Sequence, residues 1–169
     1  MPALVGTHTI RYRDLEGTRP TAPVAIPASV EFSERSYTHQ KRFGTDTWVL
    51  AVGETFDQLL QDATSTSPPK SGNRVVIHGL EVTEFSKGLF QWSLHSIWVQ
   101  FRYELWRGEE RLKSGVVKEQ GQGKGTEFGF LTFVPILGNL NFDKGIELAL
   151  SRCLQTGLAS LACQIEAVS

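Results

Sequence analysis

Cysteine is almost absent: Cys153 and Cys163 are the only two in 169 residues. One terminal helix is expected to carry both, which sets them about 15 Å apart along its axis. That is beyond disulfide reach, so the sequence shows no disulfide framework. Histidine is nearly as scarce, with four residues. His8, His39, His78 and His95 form no His-Glu-x-x-His pattern, and no cysteine lies at short ligand spacing from another, so neither a metal nor a cofactor is expected. Charge of one sign is also lacking, since 17 basic residues meet 18 acidic ones for a formal charge of -1. Long-range steering toward nucleic acid or an anionic membrane is therefore weak. The compact basic groups, Lys41-Arg42 and the spaced Arg107, Arg111 and Lys113, read as solvated surface.

No long hydrophobic run is present either. The most apolar stretch, Phe128 to Phe142, is interrupted by Gly129, Thr132, Pro135, Gly138, Asn139 and Asn141. It is too short and broken for a spanning helix. Met1 to Gly6 has no basic region leading into an apolar one, so it does not read as an export signal.

Catalytic motifs are missing as well. No Gly-x-Ser-x-Gly elbow occurs. Gly121-Gln122-Gly123-Lys124-Gly125-Thr126 has the glycines of a phosphate loop, but Lys124 is followed by Gly125 and no helix follows directly. It reads as a flexible or closely packed glycine loop. Glu81, Glu84, Glu104, Glu109, Glu110 and Glu119 fit charged strand surfaces and turns, so the chain is not expected to be an enzyme.

What is present is the pattern of one α+β domain over residues 1–169, less regular through residue 45. A chain of this length buries about two thirds of its extended surface without a staple. Residues 6–13 and Val30-Glu31-Phe32 suit short strands, separated by the proline-bearing passage Asp14 to Pro27. Trp48, Val52, Phe56 and Leu59 recur at helical spacing. Gly53 leaves a rival reading, with Trp48 to Val52 extended and the helix starting near Glu54.

A strand is expected from Asn73 to Phe85 with a bulge at Gly79, then a turn at Ser86-Lys87-Gly88. From Gln91 to Trp106, Ile97, Val99, Phe101, Tyr103 and Leu105 alternate with Trp98, Gln100, Arg102, Glu104 and Trp106. That period of two marks a strand. A reversal at Arg107-Gly108-Glu109-Glu110 leads into a strand from Arg111 to Glu119, polar enough to be an edge. A final helix is expected from Asn141 or Phe142 to about Ile165, with Asn141 as N-cap and Asp143 in its first turn. The architecture is a mainly antiparallel β-meander flanked by two helices.

Two features carry the functional expectation. Phe128 to Leu140, with Phe128, Phe130, Phe133, Ile136 and Leu137, is either the cover of one end of the core or a surface for a partner or lipid chain. Trp98 and Trp106 share one strand face, which either packs beneath a helix or serves protein recognition. Nucleic acid is the weaker occupant of such an aromatic face on a chain with so little excess charge.

The helix around Val52 to Leu60, the strand starts at Val75 and Trp92, the hairpin through Gly108 and the apolar helix from Phe142 together resemble small bacterial envelope lipoproteins of the YajG or ABC-transport-auxiliary kind. The resemblance spans about residues 45–165 and includes no residue-specific motif. It implies a noncatalytic, envelope-associated binding or assembly module in the periplasm or at the outer-membrane periphery, acting in lipid transport. An envelope protein, a lipid or a second copy would be its partner. Membrane attachment would run through an N-terminal lipidated cysteine, yet no cysteine precedes Cys153. If Met1 is the genomic start, a cytoplasmic setting follows instead. The alternatives are an enzyme with a dispersed active site and a structural homo-oligomerisation domain.

Overall fold

The computed structural model describes residues 7–10, 24–43, 46–65, 69, 72–89, 92–126 and 135–168. In chain order these form β1 (Thr7–Ile10), β2 (Ser29–Phe32), β3 (His39–Phe43), β4 (Asp46–Leu50), α1 (Val52–Ser65), β5 (Asn73–Leu89), β6 (Trp92–Arg107), β7 (Glu110–Thr126) and α2 (Pro135–Glu166). The α+β class and the β5-β6-β7 antiparallel meander agree with the sequence pattern. The meander is the centre of a four-stranded sheet ordered β2-β5-β6-β7, with β2 added parallel to the start of β5. A second sheet, ordered β1-β4-β3, has β1 parallel and β3 antiparallel to β4.

The expected alternation on β6 decides which side of the large sheet is the core. Ile97, Val99, Phe101, Tyr103 and Leu105 are all buried. Both helices pack on this side. Phe56 of α1 lies against Phe101 with ring centroids 5.0 Å apart, and Phe32 meets Phe56 edge-on at 5.4 Å. From Ile146 onward the anticipated stripe of α2, through Leu150, Leu154, Leu158, Leu161 and Ile165, is buried. Trp48, Leu50 and Ile10 bring the small sheet into the same core.

The β5 bulge falls where the apolar phase changed. Pairing jumps between His78 and Glu81, and Gly79 adopts φ 66°, a left-handed conformation that side-chain-bearing residues seldom take. Beyond the bulge, two outward backbone amides of β5 are held by side chains from the turn after β2. Leu80 N donates to Glu34 Oε2 at 2.7 Å, and Val82 N donates to the Tyr37 hydroxyl at 3.1 Å. That turn in turn presses on the start of α1. Gly53 N donates to Tyr37 O, and a Cβ at Gly53 would strike Glu34 O and lie 2.7 Å from Arg35 O.

Three local expectations are corrected. Ser86, Lys87 and Gly88 are not a turn but continue β5, opposite His95, Leu94 and Ser93, with pairing running to Leu89 and Trp92. Serine, lysine and glycine have turn composition, but pairing with a neighbouring strand overrides that local preference. Trp48 is a strand residue, and α1 starts after Leu50, which follows the rival reading more closely than the continuous helix. The long helix begins at Pro135 and not at Asn141, so Asn141 and Asp143 are interior positions. Proline at the first helical position has no amide to leave unpaired and has its φ already set for a helix. Phe128, Phe130 and Phe133 lie outside the described residues, while Ile136 and Leu137 belong to the first turn of α2.

The glycine-rich segment is likewise no loop. Gly121 to Thr126 are the end of β7, and the glycines let α2 approach backbone to backbone. A Cβ on Gly121 would collide with Ala149 O and Cys153 N. One on Gly123 would collide with Gly145 O and stand 2.8 Å from Ala149 N. Gly145, Ala149, Cys153 and Gly157 recur every four residues on α2, one line of small side chains that leaves a groove down the helix. At Gly157 this line meets Val99 Cγ1 and Phe101 Cε1 at 3.3 and 3.4 Å from an added Cβ.

Candidate functional site: the open sheet face and a buried polar relay

With both helices on one side, the opposite face of β5-β6-β7 is covered by no element among the described residues. Trp98 and Trp106 stand on this face. Packing beneath a helix, one of the two expectations for these tryptophans, is thereby corrected: the helices went to the aliphatic side, where Phe101 and Leu105 give them a continuous apolar floor. Register places Thr83, Trp98 and Gln120 in one row across the strands, with Phe85, Ser96 and Gln122 on one side of it. On the other side follow Glu81, Gln100 and Lys118, then His78, Arg102 and Val116. The outer strands carry the open positions: Phe85 is 57% exposed and Val116 53%. Trp98 and Trp106, on the central strand, are partly exposed.

The two tryptophans differ in their freedom. Trp106 is clamped, with the Arg74 guanidinium 5.8 Å from its ring centroid and its Nε1–H donating to Glu104 Oε2 at 3.1 Å. Arg74 also pairs with Glu31 at 3.0 Å, and Arg111 approaches Glu104 at 3.5 Å. Toward the middle of the face, Arg102 and Lys118 have no carboxylate within ion-pair distance among the described residues.

On the core side, sequence reasoning missed a polar relay where the two sheets meet. Lys41 of β3 pairs with Glu84 of β5 at 2.6 Å, and both side chains are only 14% exposed. Ser86 Oγ lies 3.2 Å from the same Glu84 oxygen and 2.7 Å from His95 Nδ1. His95 is 1% exposed. The strand pairing of Ser86 with His95 brings the last two together, a juxtaposition the misplaced turn concealed. His78 does not join them, because the bulge leaves it on the open face opposite Arg102.

The chemistry of this relay is that of a satisfied buried cluster. A hydroxyl has one proton. With that proton directed to Glu84, Oγ accepts from Nδ1–H, the reverse of the transfer a general base needs. Burial, and next the Lys41 cation, hold the His95 ring well below its usual range, at about 4, against the opposing influence of Glu84. His39 is lowered by the same burial effect. Burial also pushes the Cys153 thiol up to about 12, and its Sγ–H donates to Glu119 O at 3.4 Å, so this thiol is inert at neutral pH. Cys163 is exposed on the same helix.

A neutral buried histidine couples folding to pH. Because the folded-state value lies below the usual 6.5, the unfolded chain binds more protons between pH 6.5 and about 4. The stability contribution is complete above 6.5 and is lost as pH falls through that window, His39 acting in the same direction. Urea unfolding at pH 7.5 and pH 4.5 is expected to show a drop that His95→Gln reduces; equal slopes in the two proteins would remove His95 as the cause.

Among the described residues there is no cluster of three or more metal-ligating side chains, and no helix is long and apolar enough to cross a membrane. No family model matches the chain. No curated protein matches it. Among solved structures, the chain is similar to the crystal structure of a protein from Xanthomonas campestris described under the family model DUF330, with a TM-score of 0.44 and 12% identity over 96% of this chain and 99% of that one.

Proposed function

We propose that this chain is a noncatalytic binding module that receives a partner protein on the open face of β5-β6-β7. The observation that carries the reading is that Trp98, Phe85 and Val116 occupy a sheet face that no element among the described residues covers, while two helices crowd the other side. Large aromatic groups amid polar ones are the composition of recognition surfaces, where the ring supplies contact area and the neighbours supply orientation. The noncatalytic part is supported by the burial of His95 and Cys153, which keeps both from a substrate in solution.

The setting we propose is the bacterial envelope, in assembly or lipid transport, and it rests on the resemblance to YajG-type and transport-auxiliary lipoproteins. The upstream coding sequence tests it: a signal peptide ending at a lipidated cysteine supports the setting, and a genomic start at Met1 removes it.

The docking face has its own test. A photo-cross-linking amino acid in place of Phe85 is expected to give a discrete adduct in cells, and the same group in place of the exposed Gln58 on α1 is not. An adduct at twice the chain mass of 18.8 kDa would identify a second copy as the partner. Absence of any adduct at Phe85, with normal expression and folding, would defeat the reading.

A further inference from the structure

We infer that the partner segment received on this face is acidic, a stretch of polypeptide in which carboxylates flank apolar side chains; the inference rests on the binding reading above. The face is electrically unlike the rest of the molecule. Arg74, Lys87, Arg102, Arg111, Lys118 and Lys124 project from it, against Glu31, Glu81 and Glu104. It therefore carries an excess of positive charge on a chain whose formal charge is -1. Two of the three carboxylates are already engaged, Glu31 by Arg74 and Glu104 by Arg111 and the Trp106 N–H.

Two of these cations stand where a ligand would need them. Arg102 and Lys118 are exposed, without an ion pair among the described residues, and they flank the exposed Val116 on neighbouring strands. An arginine there can take a carboxylate through two parallel N–H bonds, and Lys118 can take the next as a point charge. Between them, Val116 and Gln100 offer an apolar seat and an amide. At the other end of the face Lys87, Leu94 and Lys124 lie in one row across the three strands, so an apolar residue again has a basic residue on each side. An apolar group with acidic neighbours on both sides matches each end.

Single-stranded nucleic acid would use such a face differently. It needs aromatic rings free to stack on bases and a continuous basic track for phosphates. Here the Trp106 ring is already held by Arg74, and Glu81 and Glu104 interrupt the track. A polypeptide can place its carboxylates to avoid those two residues, whereas a phosphodiester backbone cannot.

The test uses the full chain and a fluorescent synthetic peptide that alternates glutamate with leucine, read by anisotropy. A lysine–leucine peptide, a single-stranded oligonucleotide and phosphatidylglycerol vesicles serve as comparisons. The acidic peptide is expected to bind, to weaken with added salt because exposed pairs are screened, and to lose about tenfold or more in affinity in the Arg102→Glu, Lys118→Glu double variant. Both positions are exposed, so the variant's melting temperature should match that of the parent. Preference for the oligonucleotide or the vesicles, or acidic-peptide binding unchanged by the double variant, overturns the inference. The two readings separate in cells: a Phe85 adduct that fades in the double variant supports both, one that persists undiminished there keeps the binding face and discards the acidic partner, and absence of any Phe85 adduct in the otherwise unaltered chain discards both.

Discussion

Gly123→Val is expected to lower stability by about 3 kcal/mol, at the upper end of what overpacking a well-packed site costs, and the melting temperature by about 10 °C. The reason is the material it meets. A Cβ at Gly123 runs into the Gly145 carbonyl and the Ala149 amide, which are parts of a helix backbone and cannot rotate away as a side-chain tip can. Relief would require α2 to shift along its whole length, lifting Ile146, Leu150 and Leu154 from the sheet. Gly121→Val should behave alike, because Ala149 O and Cys153 N stand in the same relation to it. Gln122→Val, between the two, points to the open face and should change stability by no more than about 0.5 kcal/mol. Thermal melts of the three variants give the alternating pattern directly. A Gly123→Val protein as stable as the Gln122→Val protein would mean that α2 does not cross β7 at this point.

Lys41→Met is the second large effect, at about 3 kcal/mol, since removing one member of a buried ion pair strands the other charge. Glu84 would keep Ser86 as a hydrogen-bond donor but lose its counter-charge in a place where its side chain is 14% exposed. The double variant Lys41→Met, Glu84→Leu should recover most of the loss, to within about 1 kcal/mol of the parent, because two apolar side chains leave no charge to solvate. Denaturant titration of the parent, both single variants and the double variant measures the coupling. A Lys41→Met protein within experimental error of the parent would show that Glu84 finds water, and that the pair does not hold β3 to β5.

These two sites also mark how far the sequence could be read. β6 was legible because a period of two over Ile97 to Trp106 has one geometric explanation, and the Gly79 bulge because the apolar phase changes there. The end of β5 was not. Ser86-Lys87-Gly88 has turn composition, and only pairing with β6 shows that the reversal comes later. That slip hid the partnership of Ser86 with His95, which depends on register and leaves no local signature.

Gly121 to Thr126 was read as a loop where it is strand, for a related reason, although close packing was one of the two readings of its glycines. Glycine signals either freedom or close approach, and the choice is made by what arrives from elsewhere in the chain. The signal that could have settled it was the four-residue spacing of Gly145, Ala149, Cys153 and Gly157, which reads as a narrow groove on the helix. Trp98 and Trp106 were correctly assigned to one face of their strand, but which face the helices take is a tertiary outcome. Ile136 and Leu137 were assigned to a segment broken by its glycines and proline; the structure starts the helix at Pro135 and continues it through Gly138.

The two side chains that hold the β5 amides have a consequence for how the protein behaves in a crowded cell. A long strand whose outer edge is zipped by β2 only over Arg74 to Ile77 would otherwise offer its remaining amides to any extended chain that drifts past. Glu34 and Tyr37 occupy the first two of those positions, Leu80 and Val82, and a carboxylate set on an edge repels an incoming strand as well as filling its place. Runaway sheet growth, the ordinary hazard of a seventeen-residue strand, is blocked at the bulge, just past the end of the pairing with β2.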